Sequence, residues 1–164
     1  MRSTLLAETD DNYRVGRTTK ENDMDRSASA VWKGSLKEGK GSISTQSGTL
    51  KEAQYSFGTR FENGVGTNPE ELIAAAHAGC FSMALSGQLT AAELVPESIE
   101  TTAVVTMEKT DAGMTVTKIH LTTKAKVPGA TKEKFDELAG NAKKGCPISR
   151  LLAAAEITMD ATLL

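Results

Sequence analysis

Between positions 72 and 85 the chain carries only two polar side chains, His77 and Ser82, with Ser86 just beyond. The segment has an explicit helix start. Asn68 can cap it, Pro69 suits the first helical position, and Glu70 and Glu71 favour the positive end of the dipole. A helix apolar nearly all round has no broad solvated face and must be covered nearly all round. A chain of 164 residues with 39% apolar content builds one modest core, which leaves few ways to cover it. One is a single helix buried under one curved sheet. The other is a dimer that packs two such helices together with a sheet behind each. Ala74, Ala75, Ala76, Ala78, Gly79 and Ala84 would permit close approach of two helices.

Strand patterns surround this segment. Ala28, Ala30 and Trp32 alternate with Ser29, Val31 and Lys33, and Gly39-Lys40-Gly41 supplies a turn into residues 42–45. Residues 55–57 read as a third short strand. Residues 101–109 and 114–127 flank Asp111-Ala112-Gly113, a hairpin signal with glycine available for positive φ, and residues 157–163 read as a closing strand. A second helix is expected over 132–144, with Thr131 as its cap and Gly145 as its left-handed stop. A third, short helix starts at Pro147 and carries Leu151 and Leu152. Paired strands with helices between them point to an α+β domain over residues 28–164. Residues 1–27 are polar and without periodicity, and read as a flexible N-terminal extension.

A net charge of −2 makes neither nucleic acid nor an anionic membrane surface an obvious partner. The apolar run at 72–85 is shorter than the roughly 20 residues that span a bilayer. The N-terminus lacks the charged head and apolar core of a signal peptide, so the cytoplasm is the expected location. Two cysteines, Cys80 and Cys146, are too few for the disulfide framework of a small secreted domain. They are either inert core residues or a redox pair.

Cys80 lies mid-helix, away from the helix N-terminus, so a thiolate there needs a separate cation. Cys146 lies between Gly145 and Pro147, where it can cap the short helix with its sulfur beside free N–H groups. Local physics nominates Cys146 as the more easily ionised thiol. Position alone does not settle which sulfur attacks. His77, three residues before Cys80, could share a metal with it, but a closed zinc site needs four ligands and no second pair is present. The simpler expectation is a hydrogen-bonded or pocket-lining histidine, with Phe81 and Met83 near the pocket walls. No cofactor-binding loop of the dinucleotide or phosphate-cradling kind is present.

The segments Gly58-Thr59-Arg60-Phe61-Glu62 and Gly66-Thr67-Asn68-Pro69-Glu70-Glu71-Leu72, running on to Cys80-Phe81-Ser82-Met83-Ala84-Leu85, closely resemble the OsmC/Ohr peroxidases. Lys144-Gly145-Cys146-Pro147-Ile148-Ser149 resembles their second cysteine motif, and its Ile148-Ser149 is similar to the OsmC branch. The resemblance spans about residues 28–164. It implies the OsmC-like fold, with antiparallel sheets around a long buried central helix in an intertwined homodimer. It also implies that Cys80 is the peroxidatic cysteine, Cys146 the resolving one, and that Arg60 and Glu70 complete the catalytic site.

On that reading the chain reduces organic hydroperoxides, and more weakly hydrogen peroxide, as protection against oxidative or osmotic stress, with a lipoylated protein as the expected dithiol reductant. Arg60 would stabilise the Cys80 thiolate, and Glu70 would hold the guanidinium fork. Glu70 lies ten residues before Cys80, about 15 Å along one helix, so it cannot touch that sulfur. It could act through Arg60, whose side chain is long, or sit near the partner's Cys80 if two central helices run antiparallel; a site at the subunit interface with contributions from both chains is expected. Two other readings stay in view. One is a non-catalytic dimeric module that senses redox state or binds a lipid-like ligand. The other is acyl transfer by Cys80 with His77 as base, against which stands the lack of an orienting acid.

Overall fold

A computed structural model describes residues 24–164. The elements run β1 (Ala28–Lys33), β2 (Lys40–Thr45), β3 (Ala53–Ser56), α1 (Phe57–Phe61), α2 (Pro69–Ala91), β4 (Ser98–Thr110), β5 (Gly113–Lys126), α3 (Lys132–Gly145), α4 (Pro147–Leu151) and β6 (Glu156–Leu163). The fold is α+β, with two three-stranded sheets and a long central helix. The N-terminal arm expected over 1–27 falls outside the described residues, apart from 24–27, which form no regular element.

In the first sheet β2 lies between β1 and β3, all antiparallel. The turn does not sit on Gly39-Lys40-Gly41, because Lys40 and Gly41 are already in β2. Gly41 is instead a site of close approach: a Cβ there would lie 2.2 Å from Tyr55 Cε1. The Tyr55 ring covers the glycine, with Trp32 at a centroid distance of 5.4 Å. Phe57, expected in the third strand, opens the short helix α1.

The second sheet is ordered β4-β5-β6. β4 and β5 form the expected long hairpin, with Gly113 at φ 100° in its turn. The sheet is mixed rather than antiparallel, since β6 pairs parallel to β5. A parallel neighbour requires a crossover, which α3 and α4 provide. Leu121, Ala125 and Val127 meet Phe81, Leu85 and Leu89 of α2 and Phe135, Leu138, Ala139 and Ala142 of α3 in one core. Ser82 Oγ donates to Thr101 Oγ1 at 2.8 Å, and Thr101 Oγ1 lies 3.0 Å from Thr123 Oγ1, so the polar atoms at this seam are satisfied.

The central helix is longer than the sequence pattern indicated and is covered along one side only. Its buried residues are His77, Phe81, Leu85 and Leu89, while Ala75, Ala76, Gly79, Met83 and Gly87 form an exposed row. One sheet and two helices within a chain can face one side, which leaves the second apolar face bare. At 23 residues α2 is long and apolar enough to cross a membrane by length and composition, so the length argument against a span does not hold. What identifies α2 as a core helix is its packing against β4, α3 and α4.

Candidate active site

The site begins with the capping box of α1. Ser56 Oγ accepts the Thr59 N–H at 3.2 Å, and Thr59 Oγ1 accepts the Ser56 N–H at 2.8 Å, which satisfies both donors reciprocally. Arg60 follows at once. Asn68 then serves two elements: its Oδ1 accepts the Glu71 N–H at 2.8 Å as the cap of α2, and its Nδ2 donates to the Thr59 carbonyl at 3.2 Å. One side chain thus ties α1 to the start of α2 and lays Arg60 against Glu70. Arg60 Nε lies 3.2 Å from both carboxylate oxygens and Nη2 lies 2.7 Å from Oε1, a fork that a single ammonium could not form. The hydrogen bond to Glu70 holds the guanidinium pKa above its usual value, against the opposing effect of burial.

Arg60 also stands 5.2 Å from the centre of the Phe61 ring and donates weakly to Met107 Sδ at 3.9 Å. Beside it opens a pocket of about 270 Å³ walled by Trp32, Leu36, Tyr55, Phe57 and Phe61. Phe81 and Met83, expected near pocket walls, do not line this cavity. Phe81 is fully buried in the core and Met83 is 78% exposed on the open face of α2, because these two positions point to opposite sides of the helix.

A second cluster lies further along α2. Cys80 Sγ and Cys146 Sγ are 2.6 Å apart, and both thiols are free. Cys146 is fully buried, whereas Cys80 is partly exposed. The Cys146 N–H bonds the Ala142 carbonyl at 2.9 Å and closes α3, while its Sγ accepts the Ser149 N–H at 3.5 Å and caps α4. One cysteine therefore joins two helices. Gly145 stays inside α3 rather than acting as a left-handed stop.

Burial pushes the Cys80 thiol up, and its hydrogen bond to Cys146 pushes it further. Burial also opposes ionisation of Cys146, but the S–H of Cys80 and the N–H and hydroxyl of Ser149 outweigh it and bring that thiol below its ordinary value. Either thiol can donate while both are protonated. Once one ionises, Cys146 keeps the charge and Cys80 donates. Within one chain the more acidic sulfur is thus the inaccessible one.

His77 lies on α2 three residues before Cys80. Its Nε2 lies 2.8 Å from Ser149 Oγ, both residues are buried, and Nδ1 has no partner among the described residues. Burial lowers its pKa and keeps the ring neutral. The histidine is engaged with Ser149, not with Cys80. The structure therefore brings Arg60 to Glu70 and Cys80 to Cys146, as two clusters ten residues apart on α2. Within one chain, Glu70 bonds and charge-pairs with Arg60, while Cys146 and the Ile148 backbone act on Cys80. Sequence reasoning missed the α1 turn, the second bond of Asn68 and the role of Ser149. Of these only α1 had a local signal, the Ser56-x-x-Thr59 spacing.

Residues 61–162 match the family described as OsmC-like protein. Over 131 residues the chain is 54% identical to the peroxiredoxin OsmC of Escherichia coli (strain K12), covering 80% of this chain and 91% of that protein. Among solved structures, an OsmC-like protein of unknown function from Vibrio cholerae superposes with a TM-score of 0.68 at 19% identity, covering 85% of this chain and 99% of the other. An organic hydroperoxide resistance protein from Elizabethkingia anophelis superposes with a TM-score of 0.64 at 25% identity, covering 88% and 98%.

Proposed function

Because the chain belongs to the OsmC-like protein family, we propose that it is a thiol peroxidase that reduces organic hydroperoxides, and hydrogen peroxide more weakly, with Cys80 attacking and Cys146 resolving. The observation that carries this reading is the sulfur pair, 2.6 Å apart with one member partly exposed and the other sealed. A peroxide can reach only the first. Cys80 Sγ attacks the outer peroxide oxygen, the O–O bond breaks, and the alkoxide takes a proton to leave as alcohol. Cys146 Sγ then attacks the sulfenic sulfur of Cys80, the S–O bond breaks, and the departing hydroxide takes a proton to leave as water. Both thiols end in one disulfide, and an external dithiol restores them by exchange. A lipoylated protein is the proposed donor, and a reducing compartment, the cytoplasm, suits this cycle.

The first step needs the charge on Cys80, and the proton balance within one chain puts it on Cys146. A guanidinium beside Cys80 reverses that preference. Arg60 of the same chain is held by Glu70 at the start of the helix, ten residues before Cys80, so we assign this role to the Arg60–Glu70 pair of a second copy. The bare row Ala75, Ala76, Gly79, Met83 and Gly87 on α2 supports such a homodimer, since two copies packed antiparallel and crossing near Ala75 would set each Glu70 level with the other's Cys80. The exposed strand β1, with Val31 at 52% exposure, is a second surface for a partner to cover. The apolar pocket beside Arg60 favours substrates with a hydrocarbon body, which links the chemistry to protection against oxidative or osmotic stress.

The test is a thiol count before and after a stoichiometric addition of cumene hydroperoxide. Loss of both thiols with release of the alcohol is expected. Thiols left intact would overturn the peroxidase reading.

A further inference from the structure

His77 is a fully buried histidine that the mechanism above does not use, and its Nδ1 has no hydrogen-bond partner among the described residues. Burying an imidazole this way is costly unless its other nitrogen does something specific. That nitrogen, Nε2, meets Ser149 Oγ at 2.8 Å. Ser149 in turn gives its backbone N–H to Cys146 Sγ at 3.5 Å, and Cys146 Sγ meets Cys80 Sγ at 2.6 Å. His77, Ser149, Cys146 and Cys80 are thus linked in sequence, the Ser149–Cys146 link running through the Ser149 backbone N–H.

We propose that His77 and Ser149 are positioning residues for the second chemical step: His77 Nε2–H holds the Ser149 oxygen so that the hydroxyl proton, with the Ser149 N–H, is aimed at Cys146 Sγ. The network assigns the tautomer. A neutral imidazole has one donor and one acceptor nitrogen, and the serine proton is free for sulfur only if Nε2 carries the hydrogen of the His77–Ser149 bond rather than accepting the hydroxyl's. Nδ1 is then a bare acceptor rather than a buried unpaired N–H. Ser149 lowers the Cys146 pKa through both its N–H and its hydroxyl, and burial keeps His77 neutral, so it serves as a fixed donor rather than a charge.

The other charges around Cys146 do not replace this arrangement. On α2, the reduced Cys80 can donate to an ionised Cys146, but its S–H is gone once Cys80 is a sulfenic acid. On α3, Lys143 ends on the Ile157 carbonyl at 2.7 Å and Lys144 is exposed, and on α4 Arg150 is exposed. The consequence falls on resolution, where Cys146 must be a thiolate when the S–S bond forms and hydroxide leaves Cys80. Both donors stabilise that charged form without adding a cation.

The inference rests on the two-cysteine reading, and its test separates the two. In a Cys80→Ser background, the ultraviolet absorbance of the Cys146 thiolate is followed against pH with Ser149→Ala, Ser149→Thr and His77→Phe. Ser149→Ala and His77→Phe should each move the midpoint upward, Ser149→Ala by about one unit, which is a tenfold loss of thiolate at a pH below both midpoints. Ser149→Thr, which keeps the hydroxyl, should restore it. With both cysteines present, single-turnover quenching should show Ser149→Ala slowing disulfide formation several-fold more than alcohol release. An unmoved midpoint in Ser149→Ala overturns the donor chain, even if the protein is a peroxidase. Absence of alcohol release from the unmutated protein overturns the peroxidase, and the absorbance titration still decides the chain.

Discussion

The two clusters carried by α2 are built in opposite ways. At its start, Arg60 and Glu70 are joined by contacts that are short in sequence, with the Arg60 side chain 39% exposed. In its middle, Cys80 and Cys146 come from positions 66 apart and the second sulfur is sealed. The first cluster is a finished ion pair with no nucleophile. The second holds a nucleophile, but the charge settles on the sulfur that a peroxide cannot reach. Each supplies what the other lacks, and that complementarity is the ground for the two-copy site proposed above.

The largest effects should come from the sulfurs. Cys80→Ser should reduce hydroperoxide turnover to background, because no accessible thiol remains. Cys146→Ser should allow one turnover and leave Cys80 as a sulfenic acid, detectable by dimedone labelling and mass. If the reverse pattern appears, acidity decides the order of attack and access does not. Arg60→Lys tests the other cluster. Lysine keeps the charge but cannot form the fork, and hydrogen bonds to charged groups are worth about 1.5–3 kcal/mol. A loss of about tenfold to a hundredfold in kcat/KM should follow, with formation of the disulfide by a general thiol oxidant intact. Full activity in this variant would show that the first cluster contributes charge alone.

A subtler effect concerns the proton shared by the pair. Burial raises the Cys80 pKa, and the hydrogen bond to Cys146 and its charge raise it further. Cys146→Ala removes the last two and leaves the first. The pH midpoint for alkylation of Cys80 should therefore move down, so that the variant reacts faster than the unmutated protein at a pH below both midpoints. An upward movement would mean that Cys146 had been donating to a Cys80 thiolate, and the proton balance would have to be reversed.

Features set by neighbouring residues were legible in the sequence. Asn68-Pro69-Glu70-Glu71 marks the start of α2 because capping is local, and Gly113 marks its hairpin because a turn is local. Gly41 and Gly145 were misread for the same reason. Each looked like punctuation, but the Tyr55 ring lies over Gly41 and the Cys146 N–H continues the α3 ladder beyond Gly145. The bare face of α2 could not be distinguished from its covered face, since both are apolar and nothing in composition says which one a sheet will reach. The contact between His77 and Ser149 spans 72 positions, and neither residue has a local pattern that names the other. The proposed cysteine roles rest on the resemblance of their motifs, while the pairing of Arg60 with Glu70 and of Cys80 with Cys146 as separate clusters required three dimensions.

The smallest prediction separates two jobs of one residue, and with it asks how far the first cluster depends on its tether. Asn68 caps α2 through Oδ1 and holds the Thr59 carbonyl through Nδ2. Asn68→Ala loses both and should cost about 1 kcal/mol of stability through the cap. Asn68→Asp keeps an acceptor at the positive end of the helix dipole, so its stability should change by less. It replaces the Nδ2 donor by a carboxylate oxygen facing a carbonyl, which loosens α1 beside Arg60. Thermal melts should then place Asn68→Asp near the unmutated protein while its kcat/KM falls a few-fold, the signature of a guanidinium held less well rather than a fold held less well. Should Asn68→Asp keep full activity, the capping box and Glu70 are enough to aim Arg60, and the tether belongs to the architecture of the helix start alone.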